Sequence, residues 1–372
     1  MEGFRAVFRT PERKTPTAKF GRDAVEKVRE FHRGIPEYSV TPLAKLPELA
    51  GKLGVKGIYI KDESYRFGLN AFKVLGGSYA VAEAVKGRNG DVTFITATDG
   101  NHGRGVAWAA KRMGMKCVVY MPKGTAKERL DNILKLGADA SITDLSYDDD
   151  VRMASADAER NGWVLVQDTS HDGYEEIPEK IMQGYTTMAL EAAEQLGDVI
   201  PTHVFLQSGV GSMAGAVTAF LADFYGDGKP VITIVEPVTA DCAFRTAEAD
   251  DGKLHAVDGE MSTMMAGLAC GEVCPIAWDY LRDYAECFVS MPDGAAAEAM
   301  RALAFPAGED DAVVSGESGA AGFGAALAIL TDPGLEDIKN RLGIDESSVI
   351  LCISTEGATD RENYMRITGR TV

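Results

Sequence analysis

Asn70-Ala71-Phe72-Lys73-Val74-Leu75-Gly76-Gly77 is followed by Thr98-Asp99-Gly100-Asn101-His102-Gly103-Arg104-Gly105, and these two segments decide how the chain is read. A lysine amine can form an imine with an aldehyde. A Gly-Asn-His-Gly turn that opens a helix supplies backbone N–H donors and an amide side chain at a helix N-terminus. Taken alone, Lys73 reads as a solvated surface lysine. Set beside the second segment, it reads as the amine of a binding site.

Outward from this pair, short apolar runs alternate with helical stretches. Residues 92–97 read as a buried strand, 103–113 as a helix and 117–121 as the next strand, stopped by Pro122. A helix over 126–136 ends at Gly137, and strands follow at 140–143 and 163–166. A long helix over 178–196 leads into a second series, with strands at 204–206, 231–235 and 349–353 and a helix ending at Phe224. Such alternation predicts α/β architecture: two open, mostly parallel sheets with helices on both faces. Ligands of such sheets gather at the carboxyl ends of the strands. Asp99, Asp168, Gly209, Glu236 and Ser354 all fall at or just past such ends, so the site is expected in the cleft between two units. The expected units are 1–73 with 178–372, and 74–177.

Composition narrows the class of function. At 372 residues the chain is long for one core. No apolar run reaches membrane-spanning length, and Met1-Glu2-Gly3-Phe4-Arg5 lacks a signal-peptide core. A formal charge of −18 argues against nucleic acid or an anionic membrane as partner. Six scattered cysteines suit a reducing, cytoplasmic compartment. Cys270 and Cys274 lack a second ligand pair, so no metal is expected. Cys242 and Cys270 read as two buried thiols or, as the alternative, as a bridge that would order an entrance loop.

Several loops carry candidate chemistry, each beside a structural alternative. Gly209-Val210-Gly211-Ser212-Met213-Ala214-Gly215 fits a dinucleotide turn, with Glu236 at about the right spacing, but it fits a phosphate monoester equally well. Asp99 and Asp168 fit helix or turn caps as well as carboxylates facing a ligand. His102 reads as a packing residue rather than a base. Asp172, Glu175, Glu176 and Glu179 read as dipole complementation at a helix start. Ser354-Thr355-Glu356-Gly357 reads as a turn or as a hydroxyl for a pyridine nitrogen. Ser315-Gly316-Glu317-Ser318-Gly319 reads mainly as a cap.

Over nearly its whole length the chain resembles the fold-type II pyridoxal phosphate (PLP) enzymes, the tryptophan synthase β-subunit group, and within them the diaminopropionate ammonia-lyases. The resemblance rests on Asn-Ala-Phe-Lys at 70–73, Thr-Asp-Gly-Asn-His-Gly-Arg-Gly-Val-Ala-Trp at 98–108 and Tyr-Met-Pro-Lys-Gly at 120–124. It continues through Val-Gln-Asp-Thr at 166–169, Gly-Tyr-Glu-Glu-Ile-Pro at 173–178, Ile-Met-Gln-Gly-Tyr at 181–185 and Ser-Thr-Glu-Gly at 354–357. It implies that Lys73 bonds the cofactor and that Asn101 meets its 3-hydroxyl. Gly209, Val210, Gly211, Ser212 and Met213 would bind the phosphate. Ser354, or less readily Thr355, would face the ring nitrogen. Thr98, Gly100, Asn101 and His102 would take the substrate carboxylate. Dehydratases of the group usually carry Ser or Ala where this chain has Asp99. A carboxylate there, with Asp168 nearby, suits a substrate with a second amine.

The implied reaction is α,β-elimination of 2,3-diaminopropionate, D and L, to pyruvate and two ammonia. Lys73 would take the Cα proton on one face and Asp99 on the other. A small amino-acid substrate and a homodimer are the partners expected. The alternatives are a serine/threonine dehydratase, a β-replacement enzyme, or a binding protein of the same fold without turnover.

Overall fold

The computed structural model describes residues 1–372 except Asn89 and Asp99. Among the described residues the strands are β1 (Arg5–Phe8), β2 (Leu43–Lys45), β3 (Gly57–Asp62), β4 (Thr93–Ala97), β5 (Lys116–Met121) and β6 (Asp139–Ile142). They continue with β7 (Val164–Leu165), β8 (His203–Gln207), β9 (Val231–Pro237), β10 (Cys287–Met291) and β11 (Val349–Ser354). They form a seven-stranded sheet in the order β1-β10-β9-β8-β11-β3-β2 and a four-stranded sheet in the order β6-β5-β4-β7. The four-stranded sheet is parallel throughout. In the larger sheet only the edge strands β1 and β2 run antiparallel to their neighbours. Two open, mostly parallel sheets are therefore present, as the alternating apolar runs predict.

The central strands are apolar because both their faces are covered. Every residue of β8, β10 and β11 is buried, as expected for parallel strands packed between helix layers. β3 carries Lys61 and Asp62 at its end, yet both are buried. Lys61 Nζ donates to Thr41 O and Gln195 Oε1, each at 2.8 Å, and pairs with Glu191 at 2.8 Å.

Glycines bring three helices into main-chain contact beside the cleft. The lysine helix, Lys73–Val85, crosses the asparagine helix, Asn101–Arg112, where Gly77 faces Gly105. A Cβ on Gly105 would stand 2.9 Å from Val74 Cα, and one on Gly77 would stand 3.1 Å from Gly105 C. On its other side the lysine helix meets the long helix, Glu176–Leu196, where a Cβ on Gly184 would lie 2.5 Å from Leu75 O. No β-carbon fits at Gly105 or Gly184, and one at Gly77 would press its neighbour back. Glu176 and Glu179 occupy the first turn of the long helix, where carboxylates complement the dipole.

Candidate active site

One cavity of about 280 Å³ opens where β4, β7, β8 and β11 end. Its wall includes Lys73, Thr98, Asn101, His102, Asp168 and the whole run from Gly209 to Met213. Most of the residues singled out from sequence thus converge. Asp99 lies outside the described residues. Gly100 is buried behind Arg129, and its N–H donates to Thr98 Oγ1 at 2.9 Å.

Lys73 begins its helix, and its Nζ pairs with Asp168 Oδ2 across 95 residues of sequence. Asp168 is 1% exposed. Its Oδ1 accepts from Tyr147 Oη at 3.1 Å and from Gln167 Nε2 at 3.3 Å. Burial alone would raise this carboxyl. The Lys73 ammonium, then His102 and the hydrogen bonds from Lys73 and Tyr147, outweigh it and hold Asp168 well below the usual carboxylate range. His102 Nε2 lies 2.8 Å from Val166 O, which fixes it as a donor there, and Nδ1 sits 3.9 Å from Asp168 Oδ2. His102 is held by the sheet and still touches the ion pair.

The glycine loop links β8 to the helix Ser212–Tyr225. Gly211 caps that helix with φ +93°, a left-handed conformation that favours glycine. Gly209 lies so close to Gly267 O that a Cβ would stand 3.0 Å away, and 3.2 Å from Cys270 Sγ. Ser212 Oγ donates to the backbone carbonyl of Asp168 and so ties the loop to the ion pair. Glu236 does not reach the cavity. It is 1% exposed and accepts the N–H groups of Ala243 at 3.0 Å and Phe244 at 2.7 Å. The acidic partner that a dinucleotide would need is spent on a local helix start. Cys242 and Cys270 are both buried, and no disulfide joins them.

At the end of β11 the wall is Thr355, whose Oγ1 accepts from Gln207 Nε2 at 2.9 Å. Ser354 is buried, with its hydroxyl donating to Ser315 Oγ at 2.8 Å. Sequence reasoning passed over Tyr147, Arg129, Glu317, Glu356 and Asn363, all on the wall. Glu317 and Glu356 sat inside segments that read as a cap and a turn. Nothing local marked Tyr147.

PLP requires an amine for its aldehyde, N–H donors for its phosphate and polar partners for its ring hydroxyl and nitrogen. Lys73, the 209–213 loop, Asn101 and Thr355 offer that donor set around one cavity. Among the described residues no group of His, Cys, Asp or Glu is placed to hold a metal, and no helix is long and apolar enough to cross a membrane.

Comparison with known proteins agrees with this geometry. Residues 35–355 match the model of the pyridoxal-phosphate dependent enzyme family. The chain is 48% identical over 363 residues to diaminopropionate ammonia-lyase of Salmonella typhimurium, covering 91% of this chain and 90% of that protein. A crystal structure of the Escherichia coli diaminopropionate ammonia-lyase, in complex with an aminoacrylate-PLP azomethine reaction intermediate, superposes with a TM-score of 0.92 at 45% identity. That match covers 98% of this chain and 96% of the other. The L-threonine dehydratase of Haemophilus influenzae is 29% identical over only 58% of this chain. With lysine, glycine loop and amide assembled in one cleft, the chain belongs to the pyridoxal-phosphate dependent enzymes and, among them, to the diaminopropionate ammonia-lyase family.

Proposed function

We propose that the protein eliminates ammonia from 2,3-diaminopropionate, in both enantiomers, to give pyruvate and a second ammonia. The observation that carries this is the Lys73–Asp168 pair on the wall of a cavity whose other sides are the 209–213 loop and Asn101. Bound PLP supplies an electron sink for the charge left when the Cα proton departs. The remaining work falls to side chains. Lys73 takes the Cα proton on its own face, and Asp168 stays ionised to hold the ammonium that results. Tyr147 and Gln167 fix the carboxylate in place. Asp99 takes the proton on the opposite face. Thr98, Asn101 and His102 orient the substrate carboxylate.

The division into 1–73 with 178–372 and 74–177 belongs to the same proposal. It is supported by the four-stranded sheet, whose strands all lie between residues 93 and 165. A cytoplasmic homodimer completes it, and the scatter of the six cysteines along the chain fits a reducing compartment. The test is pyruvate release by the PLP-loaded protein from D- and L-2,3-diaminopropionate, serine and threonine. Rapid turnover of both diaminopropionates and slow turnover of the hydroxy amino acids is expected. Efficient release from serine or threonine with none from diaminopropionate would make it a dehydratase.

A further inference from the structure

Asp168 already receives hydrogens from Lys73, Tyr147 and Gln167. Two other carboxylates on the same cavity wall do not share this saturation. Glu356 is 1% exposed, and its Oε2 accepts from Asn101 Nδ2 and from Thr359 Oγ1 at 3.2 Å, while its Oε1 has no hydrogen-bond partner. Glu317 is 2% exposed, and its Oε1 accepts from Asn363 Nδ2, while its Oε2 also has none. The backbone of Glu356 bridges Ala71, two residues before Lys73, and accepts from Gly316 N at 2.9 Å, just before Glu317. The two acids are therefore held beside each other and beside the lysine segment.

Two buried carboxylates with an open oxygen each are unstable as a doubly charged pair. Burial, then the charge of Glu356, pushes Glu317 up to about 7, against a smaller lowering by its own backbone N–H, Asn363 and Arg129. A buried acid that keeps a proton near neutrality is a donor in waiting.

We propose that Glu317, held beside the Glu356 carboxylate, keeps a proton and delivers it to the second amine of the substrate as that amine leaves. This rests on the elimination proposed above. In the step, the Cβ–N bond breaks with its electron pair passing to nitrogen, and a new N–H bond forms with the proton of Glu317. The Cα=Cβ bond forms from the electrons of the Cα–H bond, whose proton Lys73 or Asp99 has taken. Glu317 then regains a proton from water. Asn101 links the two halves of the chemistry, because its amide donates to Glu356 from a helix start on the cavity wall.

The test compares leaving groups. With Glu317→Gln, kcat on 2,3-diaminopropionate should fall about 10²-fold. Elimination from β-chloroalanine should fall by no more than about threefold, because chloride leaves without a proton. Independently of turnover, the infrared difference spectrum of cofactor-free wild type minus Glu317→Gln at neutral pH should show the carbonyl stretch of one protonated carboxyl. Glu356→Gln, which keeps an acceptor for Asn101, repeats both measurements should the first variant fold poorly. Equal losses on the two substrates, or no such stretch in the difference spectrum, would overturn the assignment. A wild type that releases no pyruvate from diaminopropionate but does so from β-chloroalanine would instead sink the proposed reaction.

Discussion

Two clusters of buried charge meet the chain within a few residues of each other, at Arg66 and at Lys73, and they end in opposite ways. Lys61, Glu63, Arg66 and Glu191 have side chains with no exposed surface at all. Arg66 reaches both oxygens of Glu63 at 2.8 Å and Glu191 at 2.7 Å, while Thr41 and Tyr38 fill remaining acceptor positions at 2.7 and 2.8 Å. Two positive and two negative groups cancel. Beside the cavity, Lys73 and Asp168 pair likewise, but Glu317 and Glu356 keep open oxygens. Burial of charge is common to both clusters, so burial does not mark the reactive one. Unfilled hydrogen-bonding capacity next to a void does. The closed cluster has a different use. It anchors the stretch that includes Phe67 and Asn70, held at φ +49° and +59°, and so fixes the chain just ahead of Lys73.

The contrast can be tested by breaking each cluster in turn. Lys73→Ala has the largest expected effect. Pyruvate formation should fall by about 10⁴-fold or more, since the proposed nucleophile and base are lost together. The visible band of the lysine-bound cofactor should vanish while circular dichroism stays native. Next comes Asp99→Asn, which keeps shape but cannot take a proton at neutral pH. Turnover of D-diaminopropionate should fall about 10²–10⁴-fold and that of the L form less. Equal losses would reduce Asp99 to substrate binding.

Glu191→Gln acts on the closed cluster. Removing one partner of a buried ion pair should cost about 3–5 kcal/mol of stability, read from urea unfolding, with kcat of the folded protein near wild type. A comparable loss of kcat would erase the distinction between the clusters. The smallest effect is one of pH. Asp168 is depressed below its ordinary 3.8, so the stability it contributes is present above that value and is lost as pH falls through the lower folded value. In the cofactor-free protein, the Tm gap between wild type and Asp168→Asn should be full at pH 7 and shrink below about pH 4. A gap that persisted in acid would mean that the carboxylate charge is not what matters.

The parallel strands were legible because burial on both faces demands apolar runs, and 117–121, 231–235 and 349–353 fall within observed strands. β3 was not, because Lys61 and Asp62 look like loop until their buried partners are seen. β1 and β2 are three- or four-residue edge strands with no period to read. The run 163–166 forms only the two-residue β7, since the Gln167 side chain takes over, accepting from Ala97 N at 2.9 Å. In the site, Lys73, Asn101, Asp168 and the glycine loop each carried a local signal. Their pairings did not, being made across long spans of sequence. Glu317 and Glu356 were hidden for a further reason: each sits among serines and glycines that explain themselves as local turn chemistry.

The glycine crossings on the lysine helix set how the enzyme can change. Where Gly105 rests on Val74 and Gly184 on Leu75, the spacing of lysine, amide and long helix is a hard stop of backbone on backbone. No rotamer adjusts it and no repacking drifts it. Whatever the strand ends carry, acid, amide or hydroxyl, the lysine segment keeps its address against the two helices. Position in this chain is inherited in its glycines, and the groups that act from that position are added by its loops.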